Sequence, residues 1–165
     1  MATQTSSLIG ANLNGNSDAT ALFALGSVST GTGGSIWEYV EATSTFVTGE
    51  LVMVNPYGTA KTLITSKLTA NADGYDYAAV QGLVNQGEFA WVAKKGHGLY
   101  ILVTGTHTAG SDNGVALGPN SGRLVHSTNC GVGNTMFGVF ITSSVSGAAS
   151  VTSATLTWPR VVVVR

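Results

Sequence analysis

The sequence has very little charge. Only 9% of its 165 residues are Asp, Glu, Lys or Arg, against roughly a quarter in an average soluble protein. Surfaces with few charges repel one another weakly and tend to associate, and charged side chains are depleted in the cores of subunit interfaces. Hydrophobic residues make up 44% of the chain, which is enough to build a buried core. The composition therefore predicts a folded subunit of a permanent assembly.

Positive charge is missing altogether from the first third. Residues 1–60 contain four acidic side chains and no Lys or Arg, whereas the rest of the chain has a net charge of +3 from seven basic and four acidic residues. The overall net charge of −1 gives no basic surface for nucleic acid or anionic lipid, so neither is expected as a partner. The uneven distribution either orients one subunit against the next or reflects chance.

Cysteine and long apolar runs are also scarce. Cys130 is the single cysteine, which rules out a disulfide within the chain. The first seven residues have neither the basic nor the apolar segment of a secretory signal. Apolar runs such as residues 21–25 and 161–164 are far shorter than the roughly 20 residues that span a bilayer. We therefore expect no membrane association, and assembly in a cytoplasm.

The sequence lacks the usual catalytic signatures. It has no Gly-x-Ser-x-Gly elbow and no Gly-Lys pair of a phosphate-binding loop. His126 and Cys130 are four residues apart without a nearby carboxylate, which favours a surface histidine and a buried thiol over a nucleophilic pair. The oxygen-rich segment 71–76 lacks the distal Glu of a calcium loop and is predicted to be a turn. We predict no catalytic, cofactor-binding or metal-binding residues.

Abundant glycine, Thr, Ser and β-branched residues predict strands separated by turns. The expected fold is all-β, a single compact β-barrel or β-sandwich over residues 21–165, with residues 1–20 as a flexible, extended arm anchored by Leu8, Ile9 and Leu13. Residues 36–42 are predicted to be a strand, and residues 75–84 at most a short turn of helix. Residues 88–94 and 98–104 are predicted to be a hairpin. Pro159 is predicted to interrupt the last strand, so that residues 160–165 are either an edge strand or an arm.

Two groups of side chains on these strands have competing interpretations. Aromatic residues alternate along the strands, which is typical of a core, although exposure on one face would make them a sugar-binding platform: Trp37, Tyr39, Phe89, Trp91 and Tyr100. Lys94 and Lys95 at the expected hairpin tip are predicted to be solvated.

Three segments resemble a known group of proteins. They are Leu22-Phe-Ala-Leu-Gly26 followed by Ile36-Trp-Glu-Tyr-Val-Glu-Ala42, then residues 86–96, and then residues 105–110 with 117–124. Over about residues 21–125 the chain resembles capsid decoration (cement) proteins and other small structural virion proteins of tailed bacteriophages.

The resemblance implies a non-enzymatic protein on the capsid surface of a virion, assembled in the host cytoplasm. Such a protein would bridge subunits of the major capsid protein and would also form a homo-oligomer, which we expect to be a trimer. The resemblance brings no site residues with it. The alternatives are another virion component, such as a fibre, connector or tail protein, and a carbohydrate-binding module.

Overall fold

A computed structural model of the chain describes residues 11–13, 15–62, 75–109, 115–117, 122–125 and 134–163. Over these residues the chain is all-β, with a single turn of 3-10 helix at Thr32–Gly34. None of the helical structure within them is long and apolar enough to cross a membrane. The strands are β1 Ser17–Asp18, β2 Val28–Gly31, β3 Ser35–Ala42, β4 Leu51–Val54, β5 Thr59–Thr62, β6 Asp76–Val80, β7 Phe89–Thr104, β8 Val115–Leu117, β9 Leu124–Val125, β10 Asn134–Ile141 and β11 Ala149–Val163.

Five of these strands close a barrel, which confirms the predicted fold class. The strands pair in the order β3–β5–β4–β6–β7, and β7 pairs with β3 again to complete the circuit. A five-stranded barrel has a narrow interior, because the diameter grows with strand number. Val and Ala side chains fill most of it, together with the ring of Phe46: Val40, Ala42, Val52, Val54, Ala60, Ala78, Val80, Val84, Ala90 and Val92.

The strand β7 belongs to a second closed circuit as well. Its first half pairs with β3 and β6, whereas its second half pairs with β11 and β9. The pairings β9–β8, β8–β10 and β10–β11 complete this second circuit. One 16-residue strand therefore holds the two halves of the domain together.

The hairpin predicted over residues 88–104 is wrong, because this segment is the single strand β7. Strand β11 stays paired along it, and two residues of β7, His97 and Gly98, lie opposite Thr155 alone. Gly98 has a φ of 65°, a conformation that a residue with a side chain rarely adopts. The glycines at 96 and 98 thus form a bulge, which bends a strand without reversing it.

The larger core lies where the two halves of β7 meet. Residues from both halves of the strand, Trp91 in the first and Ile101 in the second, belong to one cluster. Trp37 and Tyr39 of β3 and Leu51 of β4 join it from the outer wall of the barrel. Strands of the barrel are therefore buried on both faces, and all four residues of β4 are buried.

The described part of the predicted arm is extended and lies against the barrel. Leu13, one of the three expected anchors, is buried. Ser17 and Asp18 form β1, which pairs with the beginning of β7, and Ser17 Oγ donates a hydrogen bond to Glu88 Oε2 at 2.6 Å. Residues 1–10 of the arm, with Leu8 and Ile9, lie outside the described residues.

One further local prediction is wrong, and another is confirmed in one of its two alternatives. The segment expected to form a helical turn contains strand β6, because its small apolar side chains pack both in the barrel and in the larger core. Strand β11 continues past Pro159 to Val163; residues 160–163 pair with β10, whereas pairing with β7 ends at Thr157, so these residues are an edge strand and not an arm. The strand accommodates the missing N–H of this proline in a bulge, in which residues 157–159 lie opposite Gly138.

Truncation of Trp91 tests the position of the larger core. The indole is 2% exposed, so Trp91→Ala should lower the free energy of unfolding by about 3–5 kcal/mol. The control, Leu83→Ala at a side chain that is 59% exposed, should change it by less than about 0.5 kcal/mol. Urea denaturation measures both, and equal effects would contradict the assignment.

Candidate functional site

The residues considered for chemistry are scattered where the structure describes them. His97 is exposed and its Nδ1 lies 2.9 Å from Thr155 Oγ1, while His107 is buried with its Nε2 3.3 Å from the Thr104 carbonyl. No three His, Cys, Asp or Glu side chains of the described residues are grouped so that they could hold a metal ion. His126, Cys130 and residues 71–74 lie outside the described residues.

Three charged side chains from neighbouring strands meet at one end of the barrel. Lys94 of β7 is only 7% exposed, and it lies two residues from Val92, which faces the barrel interior. Its Nζ donates to Glu38 Oε2 of β3 at 2.9 Å and also to Asp76 Oδ2 of β6. The side chain of Glu38 is 11% exposed and that of Asp76 is 65% exposed. The cluster therefore runs from the buried barrel end to solvent.

Trp158 covers this cluster from the neighbouring bulge in β11. The centroid of its ring lies 5.5 Å from Lys94 Nζ, within range of a cation–π interaction. Among the described residues other than glycine, Trp158 is the one with a positive φ, 57°. This backbone conformation is unfavourable for a residue with a bulky side chain. Its ring is nevertheless 49% exposed, so the bulge presents it at the surface.

The electrostatics of the cluster keep the lysine charged. Burial by itself would lower the pKa of Lys94, but the hydrogen bonds and charges of Asp76 and Glu38 outweigh it and raise the pKa above 10.5. A lysine acts as a nucleophile when its pKa is depressed, and here the shift has the opposite sign. The arrangement is suited to joining three strands and holding Trp158 in place.

The five aromatic residues do not form a platform at the surface. Trp37, Tyr39 and Trp91 are at most 2% exposed, which confirms their assignment to the core. Phe23 packs edge-on against the rings of Tyr39 and Trp91 at centroid distances of 5.3 and 5.2 Å. The other two aromatic residues, Phe89 and Tyr100, are partly buried.

The surface carries a group of exposed apolar side chains, which we call the N-terminal patch: Leu22, Leu25, Val28 and Tyr57, which are 38–81% exposed. Leu25 lies next to the turn that contains Tyr57, because a Cβ added to Gly58 would be 2.8 Å from the Cβ of Leu25. The Leu22 N–H donates to the Tyr39 hydroxyl at 3.1 Å, which fixes the segment to the barrel. Leu25 therefore lies beside the turn of Tyr57, and Leu22 and Val28 are three residues to either side of Leu25 in the sequence. Exposed apolar groups close to one another indicate an interaction surface.

Two acidic residues border the N-terminal patch. The Tyr39 hydroxyl that holds Leu22 donates to Asp18 Oδ2 at 3.0 Å. The Glu41 N–H donates to the Gly58 carbonyl at 3.0 Å, which places this residue beside the turn of Tyr57. The patch therefore combines apolar side chains with negative charge.

A scan against protein-family models and a search of curated proteins found no match to this chain. The function is therefore inferred from the N-terminal patch and from the charged cluster of Lys94, Glu38 and Asp76, here called the barrel-end cluster, together with the resemblance noted in the sequence.

Sequence reasoning missed the barrel-end cluster. Lys94 was predicted to be solvated at a turn, and this is wrong because β7 continues through it; Lys95 is exposed as predicted. A signal for Lys94 was present, since Val92 two residues before it and Val40 two residues after Glu38 are both apolar, and residues two apart share a face of a strand. Nothing local indicates that Trp158 contacts Lys94.

A matched pair of substitutions tests how the cluster holds the barrel. Glu38→Gln removes the buried charge and should lower the free energy of unfolding by about 2–4 kcal/mol. Asp76→Asn makes the same chemical change at an exposed carboxylate and should cost less than about 1 kcal/mol. The two are compared by urea denaturation at neutral pH, and the reverse order would show that Asp76 is the main partner of Lys94.

The stability of the domain should fall in alkaline solution. Burial raises the pKa of Tyr77 above 10.0, and the pKa of Lys94 is also raised. A group with a raised pKa contributes stability below its unfolded pKa, and this contribution is lost as the pH rises through the folded value. The free energy of unfolding should be constant near neutral pH and decline above about pH 10, and Tyr77→Phe should make the decline shallower. An unchanged slope would contradict a buried Tyr77 hydroxyl.

Proposed function

We propose that this chain is a non-enzymatic structural protein of a tailed-phage virion, a decoration protein that stabilises the head by bridging subunits of the major capsid protein. It acts on the outer surface of the capsid as a homo-oligomer, which we expect to be a trimer. The observation that carries the proposal is the N-terminal patch, because large apolar side chains exposed on one short segment and on the turn beside it favour a protein partner.

The segments that carry the phage resemblance divide between core and surface. Trp37, Tyr39 and Trp91 lie in the core, so these parts of the motifs specify the barrel. Leu22 and Leu25 belong to the first motif and yet are exposed. The fold does not require apolar side chains at these two positions, because both are exposed. Contact with a partner explains why they are apolar.

The low charge has two sources in this proposal. Strands of the barrel wall are buried on both faces, so part of the charge deficit is already accounted for within one subunit. The remainder lies at the surface, where nine large apolar side chains of the described residues are exposed. Many weak apolar contacts acting together can hold a subunit on a shell that presents repeated binding sites.

The alternatives are weighed against the same surface. A carbohydrate-binding module requires several aromatic side chains exposed on one face, and the aromatic residues of the predicted platform are buried or partly buried. A fibre, connector or tail protein would use an apolar patch equally well. Electron microscopy of particles that carry a labelled copy separates these, because decoration copies cover the whole head.

Attachment to the head should depend little on salt. Attraction between charges weakens as the Debye length falls from about 10 Å at about 0.1 M to about 3 Å at about 1 M salt, whereas burial of apolar surface is not screened. Particles are washed at increasing sodium chloride concentration, and the protein that remains is quantified on a gel. Retention throughout is expected, and release within this range would show that acidic residues such as Glu41 provide the attachment.

A further inference from the structure

The strand registers place two distinct surfaces on the two sides of β7. Lys95 of β7 pairs with Ile36 of β3 on one side and with Thr157 of β11 on the other. Strand β2 pairs with β3 and β10 pairs with β11, so five strands follow one another past Lys95 in the order β2–β3–β7–β11–β10. The N-terminal patch, which includes Val28 of β2, therefore lies on the β3 side of β7, away from β10.

Strands β10 and β11, on the other side of β7, expose a second group of side chains, which we call the C-terminal face: Phe140, Val151, Ser153 and Thr155. Ala154 and Ile141, which alternate with these residues, point into the larger core, so the C-terminal face is turned outwards. Phe140 is 38% exposed and Val151 is 45% exposed. Phe140 pairs with Thr155 across the two strands, which makes the face continuous.

The two surfaces differ in charge. Asp18 and Glu41 border the N-terminal patch, and residues 1–60 contain no Lys or Arg. Next to the C-terminal face, Lys95 is exposed and pairs with Thr157, two residues from Thr155. The N-terminal patch is thus bordered by acidic residues and the C-terminal face by a basic one.

We propose that the N-terminal patch of one copy binds the C-terminal face of a second copy of this chain. Since the two surfaces differ and lie on different sides of β7, the contact is head-to-tail, and repetition closes it into a ring when the rotation between copies permits. The apolar side chains provide the affinity, while the opposite charges set the orientation. This inference rests on the self-association that is part of the proposed function.

The complementarity favours a second copy as the occupant. Every subunit carries one N-terminal patch and one C-terminal face. In a closed ring each patch is therefore covered by the C-terminal face of a neighbouring subunit, and neither surface is left exposed. A ring built in this way covers Leu22 and Tyr57, which are 64% and 81% exposed in the single subunit, and explains why such side chains persist on a domain with little charge. Contact of either surface with capsid protein instead is an outcome of the test below.

The test uses three double variants of the full chain, each of which replaces two exposed apolar residues by glutamine. Leu22→Gln with Tyr57→Gln alters the N-terminal patch, and Phe140→Gln with Val151→Gln alters the C-terminal face. The matched control is Val47→Gln with Leu83→Gln, at side chains that are 44% and 59% exposed outside both surfaces. Circular dichroism verifies that each variant is folded, and light scattering after size exclusion measures its mass.

The wild-type chain and the control should form the same small oligomer. Each of the other two variants should be monomeric, with the dissociation constant raised by more than about tenfold. An equimolar mixture of these two should form a one-to-one dimer, because each retains the surface that the other lacks. A mixture that stays monomeric, a monomeric wild-type chain, or dissociation of the control would overturn the head-to-tail contact.

A charge exchange provides a second measurement. Glu41→Lys alone should weaken the oligomer, and adding Lys95→Glu to the same chain should restore it, whereas no restoration would mean that the two charges do not meet. Binding of the same variants to phage heads is scored separately. Rings that form but do not bind heads would refute the decoration function and leave the contact intact, and monomers that bind heads through either surface would refute the contact alone.

Discussion

The bend in β7 is the constraint on which the rest of the fold depends. The bulge at residues 96–98 turns one strand from the barrel into the second circuit without interrupting its pairing with β11. As a result, side chains from both halves of β7 point into one core, and Trp91 and Ile101 can pack in the same cluster. Gln81 reinforces the bend, because its side-chain amide both accepts from the Tyr100 N–H and donates to the Tyr100 carbonyl.

Because the barrel wall is buried on both faces, part of the low charge content of the sequence is explained by the fold itself. A strand with one wet face alternates polar and apolar residues, whereas β4, Leu51–Val54, is apolar throughout because both of its faces are covered. Charge survives in this interior where it is compensated, as it is for Lys94 between Glu38 and Asp76. A low charge content is therefore partly a property of the fold, and the exposed apolar side chains are the better evidence for assembly.

Short sequence patterns predicted those features of the fold that short-range interactions determine. The all-β class, the strand at residues 36–42 and the burial of Trp91 all follow from short-range composition. The turn at residues 55–58 is equally local, because the Asn55 side chain closes it by accepting from the Tyr57 and Thr59 N–H groups. The barrel closure and the charged cluster depend on pairing between β3 and β7, whose paired residues are 48–59 positions apart in the sequence. No short segment encodes that pairing, and the glycines of the bulge resemble those of a hairpin.

The sharing of β7 also sets an order of events during synthesis. The strands of the barrel, β3 to β7, are complete once residue 104 has left the ribosome, whereas β10 and β11, which cover the second half of β7, follow some thirty to sixty residues later. In the interval Leu99, Ile101 and Val103 stand on a strand edge without their final partners. Exposed apolar edges are where nascent chains aggregate, so chains translated side by side on one messenger are most vulnerable to mispairing at this stage.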